Sequence, residues 1–246
     1  MSENKDCIVL ENINHQFGDK KVLYDINLTV PGGLIYGLLG PSGCGKTTTV
    51  KIMAGILEAT AGSVFVLGQS MPKLTLMTRI GYMAQSDALY PLLTAQENLA
   101  FFSGLYGINR KKAKQRITEV MALVNLLDHR DKMVAAYSGG MKRRLSLAMS
   151  LLHEPEVLLL DEPTVGIDPV LRKSIWDALN MMAQKGMTII ITTHVMDEAD
   201  KCHKLAMMRD GKLIAEGTPL QLQKNINASC IEDAFIHYGQ GGQNED

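Results

Sequence analysis

The sequence predicts an α/β fold with a mostly parallel sheet, an antiparallel β subdomain at the N-terminus and an inserted helical lobe. Three observations lead there. The glycine-rich stretch Gly40-Pro41-Ser42-Gly43-Cys44-Gly45-Lys46-Thr47-Thr48 lies between an apolar run, 34–39, and the helical pattern of Val50, Ile52, Met53, Ile56 and Leu57. An all-apolar run returns at Val157-Leu158-Leu159-Leu160 and a further buried strand reads over 187–193, with a helical pattern at 170–183 between them. Buried parallel strands joined by helices have this appearance. Between the two sheet regions, over 87–152, strand signals vanish and three- and four-residue apolar spacing takes over.

Taken in order, 7–10 and 22–30 read as strands. In the second, Val22, Tyr24, Ile26, Leu28 and Val30 alternate with more polar neighbours, the pattern of a half-buried sheet. His15-Gln16-Phe17-Gly18-Asp19 reads as the turn between them. Its Phe17 suits either a hairpin aromatic or a platform on which a base stacks. Strands follow at 64–67 and 80–84, the latter ending at Gln85. The 87–152 lobe holds one helical pattern through Ile117, Val120, Met121, Val124 and Leu127, and a second through Met141, Leu145, Ala148 and Leu152. Asp210-Gly211 separates 205–208 from 213–215 as a hairpin turn of the favoured two-residue type. The end, 239–246, is glycine-rich and acidic and is expected to fray. The division expected is a core of 1–86 and 153–220, a helical lobe of 87–152 and a tail of 221–246, in one domain.

Composition narrows the function. With 25 Lys and Arg against 26 Asp and Glu, the net charge of −1 speaks against nucleic-acid binding by bulk electrostatics. Four cysteines, Cys7, Cys44, Cys202 and Cys230, have no metal-type spacing and suit a reducing cytoplasm. No secretory signal pattern opens the chain, and no apolar run approaches the roughly 20 residues that span a bilayer. Arg110 to Arg116 holds five basic residues in seven, read first as a solvated helix face and second as a contact for anionic lipid headgroups.

The glycine-rich stretch matches Gly-x-x-x-x-Gly-Lys-[Ser/Thr] at every fixed position. Such a loop curls so that successive N–H groups converge on phosphate oxygens at a helix N-terminus, where the dipole favours anions. Lys46 then reaches the terminal phosphates and the Thr47 hydroxyl holds Mg²⁺. Asp161, after the run 157–160, is the expected partner of Thr47 on the metal. Glu162 beside it is the natural base for water attacking a γ-phosphate. Cys44, near Lys46 and a helix N-terminus, is expected to be a reactive thiol.

Tyr137-Ser138-Gly139-Gly140-Met141-Lys142 places a hydroxyl and two glycines at the start of another helix, a second anion site of the same kind. One chain thus carries two different half-sites. From about Phe17 to Gly217 it resembles the ATP-binding subunit of an ABC transporter, built on a P-loop NTPase core. The resemblance implies that Phe17 stacks on the base, and that Gly40 to Thr48 binds the phosphates. It makes Gln85 a catalytic residue and metal neighbour in the glutamine loop, places Asp168 in the aspartate loop 166–168, and makes His194 the switch histidine. It further implies that Ser138, Gly139 and Gly140 close over ATP held by a second copy or a related subunit. The implied cofactors are ATP and Mg²⁺, the implied partner a transmembrane permease, and the implied place the cytoplasmic face of the membrane; no nucleic acid is expected. Tyr137 and Met141 stand where the signature usually has Leu and Gln. Met141 followed by Lys142-Arg143-Arg144, the segment 93–107 and the ending 231–236 are similar to the branch that exports drugs, lipids, polysaccharides or ions. Tyr90, Leu92, Leu93, Phe101, Phe102 and Tyr106 are expected to hold the docking surface. A soluble ABC ATPase acting on ribosomes or DNA is the alternative. A small-molecule kinase or GTPase leaves 137–142 unexplained.

Overall fold

A computed structural model describes residues 6–86 and 88–240. Its strands and helices run β1 (Asp6–Phe17), β2 (Lys20–Pro31), β3 (Ile35–Leu39), α1 (Lys46–Met53), β4 (Ala61–Val66), β5 (Gln69–Ser70) and β6 (Ile80–Met83). Then come α2 (Ala95–Leu105), α3 (Arg110–Leu123), α4 (Gly139–Leu151), β7 (Val157–Asp161), α5 (Pro169–Gln184) and β8 (Thr188–Thr193). The chain continues through α6 (Met196–Ala199), β9 (Lys204–Arg209), β10 (Lys212–Gly217), α7 (Pro219–Lys224) and α8 (Ile231–Gln240). Two compact units form: the described residues up to Leu74 with those from Thr188 onward, and Thr75–Met187.

In the first unit β1 pairs antiparallel with both β2 and β4, and β4 pairs with β5. β3 lies parallel to β8 on one side and to β9 on the other, and β10 folds back antiparallel on β9. Every residue of β3 and β8 is buried, which is why both read as unbroken apolar or hydroxyl-bearing runs. The expected Asp210-Gly211 turn is present, with φ of +49° and +76°. Both values are positive, as the favoured two-residue hairpin turn requires. Gly211 also meets the rest of the unit. Its N–H donates to the Cys44 carbonyl (3.2 Å), its carbonyl accepts from Tyr24 N–H (2.9 Å), and a Cβ on it would lie 2.2 Å from the Val22 carbonyl oxygen.

One expectation is corrected here. His15, Gln16 and Phe17 belong to β1, paired with Leu23, Lys21 and Lys20, so only Gly18-Asp19 turns. Register shifts around Ile13 and a φ of +51° at Asn12 break the two-residue alternation of β1, which hides its second half from a periodicity reading. The C-terminal end also differs: Gly239 and Gln240 continue α8, and the Gly239 carbonyl accepts from Arg209 Nη1 at 3.0 Å. The rest of the stretch expected to fray, 241–246, lies outside the described residues, as does Asp87.

In the second unit β6 and β7 pair in parallel, Ile80 opposite Val157 through Met83 opposite Leu160. α2 lies outside the two helical patterns read from the lobe. Thr94 starts it with a capping box: its hydroxyl accepts from Glu97 N–H (3.1 Å) while Glu97 accepts from Thr94 N–H (2.8 Å). Asn109 caps α3 and Asp168 caps α5, where Pro169 supplies the pre-set first position. α4 buries more of its surface than the predicted stripe. Arg143, Leu147 and Ser150 are covered as well as Leu145 and Ala148.

Candidate nucleotide site

The phosphate loop leaves β3 at Gly40. Only glycine fits there, because a Cβ would stand 2.3 Å from the Met208 carbonyl oxygen. The loop closes at Gly45, the residue before α1, with φ of +105°. α1 has no side-chain cap and no acidic residue in its first turn. Its leading N–H groups therefore lack helical acceptors and set up a positive end suited to an anion. Lys46 is 4% exposed, and its Nζ donates to the carbonyls of Gly40 (2.7 Å) and Pro41 (2.9 Å). Thr47 and Thr48 are half-buried, Ser42 and Gly43 exposed.

Cys44 overturns its expectation. It is buried, and burial pushes its thiol up against the opposing pull of Lys46. The positive field of Lys46 is outweighed by the desolvation of a thiolate, so the surroundings of Cys44 disfavour its reactive form.

Two more predicted residues lie in this unit. Phe17 is 53% exposed at the end of β1, and its ring meets His15 edge-on at a centroid distance of 4.6 Å. His194 is exposed just past β8. Its position is set by its neighbours: Thr193 Oγ1 donates to buried Glu198 (2.7 Å) and accepts from Val195 N–H (3.0 Å).

The second unit gathers the rest into two groups. Asp161 is fully buried at the end of β7, while Glu162, half-buried, follows with φ of +51°. That left-handed backbone costs a non-glycine residue about 1 kcal/mol or more. Arg143, 8% exposed on α4, holds it in place. Its Nη2 donates to the carbonyls of Asp161 and Glu162 (2.7 Å to the latter), and its Nη1 to those of Ala84 (2.7 Å) and Gln85 (2.9 Å). One buried guanidinium thus ties Gln85 to the Asp161-Glu162 pair. Sequence reading misses this, because Lys142-Arg143-Arg144 enters it only through a family likeness. The available signal was position: Arg143 is four residues before Leu147, on a second buried stripe.

The other group is the start of α4. The Ser138 side chain accepts from Met141 N–H (3.3 Å), and no acid occupies the first turn. A Cβ on Gly140 would approach the Gly166 carbonyl oxygen to 3.0 Å, so the signature glycines and the 166–168 loop lie back to back. Asp168 spends one carboxylate oxygen on Leu171 N–H (3.0 Å).

Residues 23–165 match the family model for ABC transporters. The chain belongs to that family. Among relatives of this ABC chain, the probable multidrug ABC transporter ATP-binding protein YbhF of Escherichia coli is 42% identical over 236 residues. The match takes in 93% of this chain and 41% of that protein, so the chain spans about two-fifths of that relative's length. The Nod factor export ATP-binding protein I of Burkholderia lata is 40% identical over 229 residues, 92% of this chain and 75% of that protein. Among solved structures, an ATP-binding subunit of an ABC transporter superposes with a TM-score of 0.87 over 95% of this chain and 99% of its own, at 23% identity. That likeness establishes the fold. A dimeric ATP-binding cassette in a post-hydrolysis state, bound to ADP and Pi, has a TM-score of 0.78 at 25% identity, covering 86% of this chain and 98% of its own. The α/β fold with an antiparallel N-terminal sheet is as expected.

Proposed function

We propose that this ABC-family chain binds and hydrolyses MgATP in a pair of cassettes and drives a separate membrane permease that exports its cargo. One observation carries the reading: a single chain presents two uncapped or hydroxyl-capped glycine-rich helix starts, at Gly45 and Ser138, free of acidic residues. A lone nucleotide site needs one. A pair of chains, each lending Ser138, Gly139 and Gly140 to nucleotide on the other's phosphate loop, uses both.

In this reading Gly40, Pro41, Ser42, Gly43, Cys44, Gly45 and Thr48 line the phosphates. Lys46 exchanges its two carbonyl partners for phosphate oxygens, and Phe17 stacks on the base. Thr47, Asp161 and Gln85 offer oxygen donors to Mg²⁺. The donor set fits that ion, which takes one or two protein ligands beside phosphates. Glu162 takes the proton of the attacking water, with Gln85, His194 and Asp168 positioned around the reaction. The work is positioning and charge neutralisation of a phosphoryl transfer.

The partner reading rests on surface. No helix among the described residues is long and apolar enough to cross a membrane. Yet Tyr90 is 46%, Leu92 79%, Phe101 44% and Leu105 67% exposed. Tyr90, Phe101 and Phe102 form one aromatic cluster, with ring centroids 5.1 to 6.1 Å apart. An apolar patch of this kind marks a protein partner. Export follows the relatives named for multidrug and Nod factor export. In this reading the chain works at the cytoplasmic side of the membrane, held there by the permease.

Two measurements test the reading. Lys46→Ala is expected to weaken ATP binding about tenfold to a hundredfold, the loss of charge-assisted bonds worth about 1.5–3 kcal/mol. Binding within twofold of the parent rejects the phosphate-loop assignment. Leu92→Glu with Phe101→Glu is expected to abolish co-purification with the membrane subunit while leaving nucleotide affinity intact. Retained co-purification moves the docking surface elsewhere.

A further inference from the structure

The nucleotide chemistry makes no use of the basic run 110–116 on α3, and the structure divides its five cations into two kinds. Lys112 pairs with Glu154, and Arg116 with Glu119 at 2.5 Å and with the Leu151 carbonyl at 2.8 Å. The side chains of Arg110, Lys111 and Lys114 have no partner among the described residues. Arg110 and Lys114 are four residues apart and so share a helix face. That face walls a recess of about 510 Å³ formed with α2, and Arg130, whose Nε pairs with Asp131 at 3.3 Å, adds a third cation. No acidic side chain lines it. Its apolar surface comes from Ala100, Ile108, Ala113 and Ile117.

Gly104, within α2, also lines the recess, and a Cβ on it would meet no atom within 4 Å. Glycine in a helix interior costs about 1 kcal/mol relative to alanine. Neither packing nor backbone conformation calls for it here; its effect is to leave the recess open. The volume falls within the roughly 300–1,000 Å³ of small-molecule sites, which combine apolar walls with a few charged groups.

We propose that this recess binds a small single-chain amphiphile with an anionic head, a carboxylate or phosphate monoester. Arg110, Lys114 and Arg130 hold the head, and the chain lies along Ala100, Ile108, Ala113 and Ile117 past Gly104. A bare anion would use only the cations, and an uncharged apolar molecule only the floor. The whole site lies within the Thr75–Met187 unit and stands independently of the nucleotide reading.

The test is calorimetric titration of the full chain with decyl phosphate below its micelle concentration. One saturable site is expected, with inorganic phosphate at the same concentration and decyltrimethylammonium both failing to bind. Gly104→Leu, which fills the recess and leaves every charge in place, should weaken binding at least tenfold. So should Arg110→Ala with Lys114→Ala. Lys111→Ala removes a cation of the same run that does not line the recess, and should bind as the parent does. Melting temperatures identify any variant that has lost its fold. Parent-like binding by both a folded Gly104→Leu and the Arg110→Ala, Lys114→Ala pair overturns the proposal. Loss in Lys111→Ala equal to that in the pair overturns it as well, since diffuse charge then suffices. Binding to phosphatidylglycerol vesicles with none to decyl phosphate assigns the cations to a bilayer surface and also rejects the site.

Discussion

Glu162→Gln is expected to bind ATP nearly as the parent does and to hydrolyse it about 10²–10⁴-fold more slowly, the usual contribution of a positioned general base. The amide keeps the volume and the backbone of the residue, so the left-handed turn after β7 and its hold by Arg143 are unaffected. What is lost is a site for the proton of water. Binding that outlasts hydrolysis should accumulate paired subunits, read as a shift to dimer in size-exclusion chromatography with ATP and Mg²⁺. A Glu162→Gln chain that turns over ATP within tenfold of the parent transfers the base to another residue.

Arg143→Ala has a different expected signature, because the damage is to the frame of the site. Four carbonyls, those of Ala84, Gln85, Asp161 and Glu162, lose their shared donor in one step. Bonds to a charged donor are worth about 1.5–3 kcal/mol each, and buried acceptors left unmade are costly; relaxation recovers part, so about 3–5 kcal/mol of destabilisation is expected. Denaturant unfolding measures it. Arg143→Met fills the same volume without donors and should fall in stability nearly as far, whereas Arg143→Lys, with a single point of charge, should recover about half. Hydrolysis in the Lys variant should drop more than ATP affinity, since the Glu162 backbone is then held by fewer bonds. A Met variant as stable as the parent shows that the guanidinium is dispensable.

The phosphate loop was legible because its requirements are local. Backbone freedom at Gly45, a cation at Lys46 and a hydroxyl at Thr47 are written at fixed spacing, next to a strand buried on both sides. The place of Asp161-Glu162 and His194 at strand ends was legible for a related reason: each follows a strand-like run. α2 gave no clear periodic pattern although Thr94 and Glu97 spell a capping box, because Leu99, Phe101, Phe102 and Leu105 spread apolar side chains around the helix instead of along one stripe. β1 lost its second half to a bulge. Cys44 and Arg143 failed for the opposite reason to the loop. Their states depend on burial, and burial is decided by residues far away in the chain: Met208 and Gly211 beside the thiol's loop, and the 84–85 and 161–162 carbonyls around the guanidinium. Charge and neighbours in sequence pointed to a reactive cysteine and to no role for Arg143 in the site; packing decides both.

The Asp210-Gly211 hairpin tip has the look of a permissive position, a short polar turn of the sort chosen for epitope tags, domain insertions or new chain termini. Its hydrogen bond to the Cys44 carbonyl and its contact with Val22 make it a strut under the phosphate loop instead. For anyone re-engineering this chain, the tip should be left intact and cargo grafted elsewhere. Lengthening it withdraws support from the glycine-rich loop after β3 while every recognised motif still reads correctly.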